Sequence, residues 1–367
     1  IAQIMRDRVQ DLTNAIASES DGDFTPDRRV TVHAYEVAWQ PSIRTPVVLS
    51  LFGVLKWSAR YPCWSAVYQV AVRAAIVALA GEYFYSHLRK ALDESADNRM
   101  RAVSGLPLPI GAAIGLAVFS LPSRLEEVRG TFEVLGRYAQ HRCFNGWNAR
   151  SSYVPSAFYC ALWICSVAAR YWSRAAAASD SERLEANIRV AMFSIFSGCI
   201  LGLSLMIVCV CVSLASMIDK FCCDVVDGMP VSEVAGVWNT TQAVLRRASS
   251  SIEQCLVALC ITMAFVVPLI LVDVVFETEG SGIAAVAPLL VTCGVVYMAL
   301  TAAKITDKCS RVPALINAVS FGPGTDRLRQ QIVDYIVSSG AGFYVFGMRL
   351  TTVIVLKFAY GWSVVAV

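Results

Sequence analysis

Lys357 carries the charge in this sequence that most needs a chemical explanation. It lies well inside the apolar stretch that closes the chain, three residues before Tyr360. Arg73, Glu82, Asp273 and Arg349 also fall inside apolar segments. A charge in hydrocarbon is costly, so each such residue is a candidate for function or for a compensating ion pair. Glu82 and Asp273 lie near segment ends and can reach water. Arg349 lies near the start of its segment and can snorkel to the interface. Lys357 has no such exit: it pairs with an acid on another segment, or it has a role of its own.

Other chemistries lack their residues. There is no GxxxxGK[ST], no HExxH and no GxSxG with plausible partners, so no catalytic residue is assigned and no enzyme is expected. Most of the thirteen cysteines fall inside apolar segments, among them Cys160, Cys165, Cys199, Cys209, Cys211, Cys255, Cys260 and Cys293. There they serve as small hydrophobes. Cys222 and Cys223 are adjacent and His33, His87 and His141 are far apart, so neither a metal site nor a cofactor is expected. A net charge of +3 gives no reason to expect a nucleic-acid partner. Asn239-Thr240-Thr241 is a formal glycosylation sequon, read as a chance match.

The elements that hold these residues are membrane helices. Of the 367 residues, 56% are hydrophobic and 16% charged, against about 25% charged in soluble domains. A helix needs about 20 apolar residues to cross the hydrocarbon core. Seven segments fit: 61–86, 105–123, 151–173, 188–218, 252–276, 282–303 and 341–367. The first and last are the weakest, since they carry Arg73 with Glu82 and Arg349 with Lys357. Pro46–Trp57 is apolar but too short, and is expected as a pre-span helix in the interface. Pro268 and Pro288 fall inside spans five and six and can kink them. The opening residues are too polar for a signal peptide, and Ile1 in place of Met suggests a longer chain.

Loop charge sets the expected orientation. With the N-terminus inside, the inner segments 1–44, 124–150, 219–251 and 304–340 hold 18 Lys or Arg, and the outer ones 6. The positive-inside rule favours this arrangement. The expected fold is therefore an all-α membrane protein with a cytosolic N-terminal region (1–45) and an extracellular C-terminus. A G-protein-coupled receptor has the opposite orientation. No Asp-Arg-Tyr follows the third span, and no NPxxY lies in the seventh.

The inner segments are themselves amphipathic. Leu125, Val128, Phe132 and Leu135 share one helical face. So do Val234, Trp238 and Leu245, and likewise Leu328, Ile332, Tyr335 and Ile336, with Thr325 placed to cap the last. Such faces need a partner. Residues 219–251 and 304–340 are thus expected as cytosolic anchor helices, packed within one subunit or joining several.

The closing stretch SSGAGFYVFGMRLTTVIVLKFAYGWSVVAV, residues 338–367, resembles the last span of the insect gustatory and odorant receptor superfamily, in its gustatory-receptor-like branch. Gly342-Phe343-Tyr344 matches the small residue and aromatic pair that open that span. Ala359-Tyr360 followed by Trp362-Ser363-Val364-Val365 matches its Thr-Tyr pair and aliphatic run, with Ala in place of Thr. The family's terminal Gln-Phe is not among these residues. The span plan matches along the whole chain, while residue similarity is confined to such patches, as in a divergent member.

The resemblance implies a ligand-gated, nonselective cation channel in the plasma membrane, built as a homotetramer with the seventh span around a central pore. The expected partners are further copies of the chain, membrane lipid and a small-molecule ligand. On a helix Tyr360, Val364 and Val367 share a face, with Ser363 beside them and Lys357 at its edge. Four such faces would form an apolar constriction that gates by dewetting. A ring of Lys357 ammonium groups would oppose cations unless the side chain turns away. Trp163, Phe193, Phe196, Phe265 and Tyr297 are the candidate aromatic lining of a ligand pocket. The alternative is a non-conducting seven-helix scaffold or a small-molecule transporter. The sequence shows none of the internal symmetry a transporter of inverted repeats would carry.

Overall fold

The computed structural model describes residues 62–93, 106–120, 147–175, 182–276, 281–322 and 324–365. The N-terminal region, the Pro46–Trp57 stretch and the face of Leu125, Val128, Phe132 and Leu135 lie outside them. The described chain is all-α apart from one small hairpin. In order it forms α1 (Pro62–Asp93), α2 (Pro107–Ser120), α3 (Trp147–Ala175), α4 (Glu182–Val226), α5 (Val231–Phe276), α6 (Ser281–Ala318) and α7 (Asp326–Ser339). Strands β1 (Tyr344–Val345) and β2 (Met348–Arg349) follow, and then α8 (Thr352–Val365).

Helix α4 is the axis of the bundle because it is apolar on every side. From Phe196 to Ile218 nearly all its residues are buried, and it packs on α1, α2, α3, α5 and α6. A helix without a polar face has to sit inside. Close approach elsewhere depends on missing side chains. A Cβ on Gly111 of α2 would meet Thr262 of α5 at 2.1 Å, and one on Gly294 of α6 would meet Leu201 of α4 at 2.5 Å. Small residues of this kind let membrane helices approach closely.

Helices α4, α5 and α6 are long and apolar enough to cross a membrane. Their 45, 46 and 38 residues make rods of about 57–69 Å, roughly twice the hydrocarbon core. The expected anchor helices are thus continuous with the spans: α5 runs through both 219–251 and 252–276 from Val231 on, and α6 passes Ala303 without a break. At the end of α4 the sequence punctuation turns the chain. After α4, Gly228 takes φ +98°, its N–H donates to Val225 O and Met229 N–H donates to Asp224 O. This is a Schellman cap, and Pro230 follows it.

The ends of α4, α5 and α6 nearest to α7 pack with it into one apolar cluster. It contains Phe221, Val234, Trp238, Leu245, Ile305, Val312, Ile332, Ile336 and Phe343. The faces of Val234, Trp238 and Leu245 and of Ile332 and Ile336 point inward as their spacing predicts, while Leu328 is exposed. Thr325 precedes α7, but its hydroxyl makes no cap and donates to Gly322 O instead.

The anchored terminal helix and an aromatic cluster

The segment expected as one span over 341–367 is divided. Helix α7 ends at Gly340 in the left-handed region, the hairpin follows, and α8 starts only at Thr352. Turn chemistry accounts for the break. Phe346 and Gly347 take φ +48° and +76°, the positive-φ pair that closes a two-residue hairpin. Tyr344 pairs with Arg349 and Val345 with Met348.

The hairpin is fixed to the helices on both sides. Phe343 is fully buried, its N–H donates to Thr306 Oγ1 of α6 at 2.9 Å, and its carbonyl accepts from Leu350 N–H at 2.9 Å. Arg349 Nη2 donates to Ala341 O at 2.8 Å, and Phe346 N–H donates to Glu253 Oε2 of α5 at 3.2 Å. Arg349 therefore belongs to the anchor hairpin and not to a spanning helix. The end of α7 is held on α5 as well: Ser339 Oγ accepts from Trp238 Nε1 at 3.1 Å, and its carbonyl from Gln242 Nε2 at 2.7 Å. Nearby, Lys308 of α6 pairs with Asp219 of α4 at 2.6 Å.

Helix α8 begins from this platform. Thr351 Oγ1 accepts from Ile354 N–H at 3.3 Å, a side-chain N-cap. The Thr352 hydroxyl donates to an Asp307 carboxylate oxygen on α6. Among the described elements α6 is the main partner of α8. Thr352, Val355 and Ala359, at helical spacing, are half-buried, and the opposite face is open: Val353 is 60% exposed and Tyr360 72%. Lys357 is exposed on that open face, with no ion pair or hydrogen bond among the described residues. The side chains of Ser363 and Val364 fall outside the described residues, as does Val367 entirely.

The candidate pocket residues divide into three groups. Trp163 of α3 donates from Nε1 to Ser194 O of α4 at 3.0 Å. On the same stretch of α4, Phe193 has the Arg170 guanidinium 5.9 Å from its ring centre, and Phe196 packs edge-on to Tyr83 of α1 at 6.0 Å. Tyr297 of α6 stands with Phe158 and Tyr159 of α3, at 5.0 and 6.3 Å. The buried Tyr159 hydroxyl donates to Gly294 O at 2.7 Å. Since Tyr159 and Trp163 are one turn apart on α3, these two groups adjoin. Phe265 stands apart, 61% exposed on α5. Tyr83, Tyr159 and Arg170 were missed by reading the sequence. The four-residue step from Tyr159 to Trp163 was the available signal.

The chain matches no family model, and no curated protein matches it by sequence. Its fold is similar to that of the insect olfactory receptor OR5 from Machilis hrabei, with a TM-score of 0.65 at 10% identity, covering 88% of this chain and 94% of that one. The same receptor in complex with eugenol gives 0.61 at 9% identity over the same shares. The likeness is one of fold, the seven-span all-α architecture, and it extends over nearly the full length of both chains.

Proposed function

We propose that this chain is a chemoreceptor-like ion channel of the insect gustatory and odorant receptor superfamily, gated by a small organic ligand. Four copies surround an axis formed by α8. The anchor end, built from α7, the hairpin and the far ends of α4–α6, lies in the cytosol, and the C-terminus lies outside. The protein resides in the plasma membrane. The aromatic cluster of Trp163, Phe193, Phe196 and Tyr297 borders the ligand site. The resemblance in the closing stretch implies a nonselective cation pathway.

The observation that carries this reading is the placement of α8. It is an apolar helix of 14 residues, tied firmly at its first turn and packed on α6 along one side. Its length is about 21 Å, and it contributes little to its own bundle's core. Such a helix suits an interface among copies around an axis better than a place in a monomer. The fold likeness to an olfactory receptor supports the same conclusion.

The test is direct imaging of the purified chain. Particles with four-fold symmetry and α8 at the axis support the channel, and a monomer or dimer with α8 facing lipid sinks it. Functionally, Val364→Lys should abolish or alter the current; an unchanged current removes this face from the pore.

A further inference from the structure

We infer that the aromatic cluster between α3 and α4 binds a small organic carboxylic acid. Its apolar body lies against Trp163, Phe193 and Phe196, and its carboxylate meets Arg170 and Arg189. The inference rests on the ligand-site reading above and adds the chemical class of the ligand.

Spacing builds two stripes. On α4, Arg189, Phe193 and Phe196 stand at i, i+4 and i+7 and share a face. On α3, Trp163 and Arg170 stand seven residues apart and share a face as well. The stripes meet: Trp163 Nε1 donates to Ser194 O at 3.0 Å, and the Arg170 guanidinium lies 5.9 Å from the centre of the Phe193 ring. Arg170 lies toward the end of α3 and Arg189 toward the start of α4, so both cations stand on the side where the two helices connect. The charges of Arg170 and Arg189 both reach the Tyr83 hydroxyl of α1, and the Tyr83 ring packs edge-on to Phe196 at 6.0 Å. The site thus has an aromatic floor and a basic rim.

The surrounding sequence leaves that rim positive. Helix α3 contains no Asp or Glu in its 29 residues, and α4 contains none from Ala186 to Ile218. Glu82 is exposed, and as the neighbour of Tyr83 in sequence it belongs to a different face of α1. A guanidinium carries five N–H donors, so one that already holds a neighbour keeps donors for a ligand. Arg meets carboxylates through paired, charge-assisted bonds, while aromatic linings hold an apolar body. Seven residues of helix rise by about 10 Å, the distance from floor to rim. A phenylalkanoate or a medium-chain fatty acid spans that distance. A neutral ligand of the same size leaves the guanidinium side unused.

The experiment titrates the full chain, purified in detergent, with 3-phenylpropionate and with 3-phenylpropan-1-ol, which has the same body and no charge. The rise in unfolding temperature reads binding without requiring a current. The carboxylate should bind about tenfold more tightly than the alcohol. Arg170→Gln and Arg189→Gln should each remove most of that preference and keep alcohol binding, while Arg170→Lys and Arg189→Lys should retain part of it. A misfolded variant loses both probes alike, so the preference within each variant is the readout, and the lysine variants decide where a glutamine variant does not fold. Equal affinity for the two probes in the wild type, or binding of neither, overturns the inference. So does a preference that survives both glutamine substitutions, which assigns the arginines to ion pairs such as one with Glu185, one turn before Arg189. Trp163→Ala should weaken both probes and reports on the site itself: equal affinities that Trp163→Ala lowers leave the ligand-site reading standing, and affinities it leaves unchanged remove that reading too.

Discussion

The hydroxyl of Thr352 donates to a carboxylate oxygen of Asp307, so the first residue of α8 is bonded to the C-terminal half of α6. The bond joins the helix proposed to line the pore to the platform that holds the subunit together. Hydrogen bonds to a charged acceptor contribute about 1.5–3 kcal/mol. Asp307→Ala should therefore lower stability by about that amount, measured by thermal unfolding in detergent. Thr352→Ser should retain it. A variant with Asp307→Ala and unchanged unfolding would show that the bond contributes nothing.

Trp238 separates packing from hydrogen bonding at the anchor. Its ring is fully buried against Phe221, at 5.3 Å between centres, and its Nε1 holds Ser339. Trp238→Phe keeps most of the ring and should cost about 1 kcal/mol, one neutral hydrogen bond. Trp238→Ala leaves a large void and should cost about 3–5 kcal/mol. Denaturation midpoints distinguish the two; equal losses would mean that the ring itself contributes little.

The α2–α5 approach makes a compensation test. Gly111→Ala places a Cβ against Thr262, where there is no room without movement. Overpacking of this kind costs about 1–3 kcal/mol. Thr262→Ala alone should be milder, and combining it with Gly111→Ala should recover most of the loss. Strict additivity of the two in the same unfolding assay would rule out the direct contact.

At the aromatic cluster, Trp163→Ala should weaken or abolish responses to small organic ligands, read as the concentration giving half-maximal current. Phe265→Ala should leave that concentration within about twofold, because Phe265 is exposed on α5. Tyr159→Phe removes only the bond to Gly294 and should shift thermal stability by about 1 kcal/mol. Equal ligand effects from Trp163→Ala and Phe265→Ala would remove the proposed pocket.

Local periodicity determined much of this protein. Long apolar runs dictated membrane helices, and the spacing of Val234, Trp238 and Leu245 identified the face that α5 buries. A period of 3.6 residues needs nothing beyond the segment itself to be read. The same arithmetic placed Lys357 near Tyr360 and flagged its charge, but could not tell whether an acid stood opposite. Only the tertiary structure decides that, because acids such as Asp307, Asp219 and Glu253 come from other helices far away in sequence. It also divided the closing segment. A positive-φ pair at Phe346 and Gly347 is a local event, but the bonds that hold the hairpin come from Thr306, 37 positions from its partner Phe343, and from Glu253, 93 positions from Phe346. Likewise the five pocket candidates were equal by composition, and helix packing alone separated Phe265 from Trp163. Sequence determines which faces need a partner, and the packed bundle decides which partner each face obtains, because every side chain has many possible neighbours and the fold admits one set.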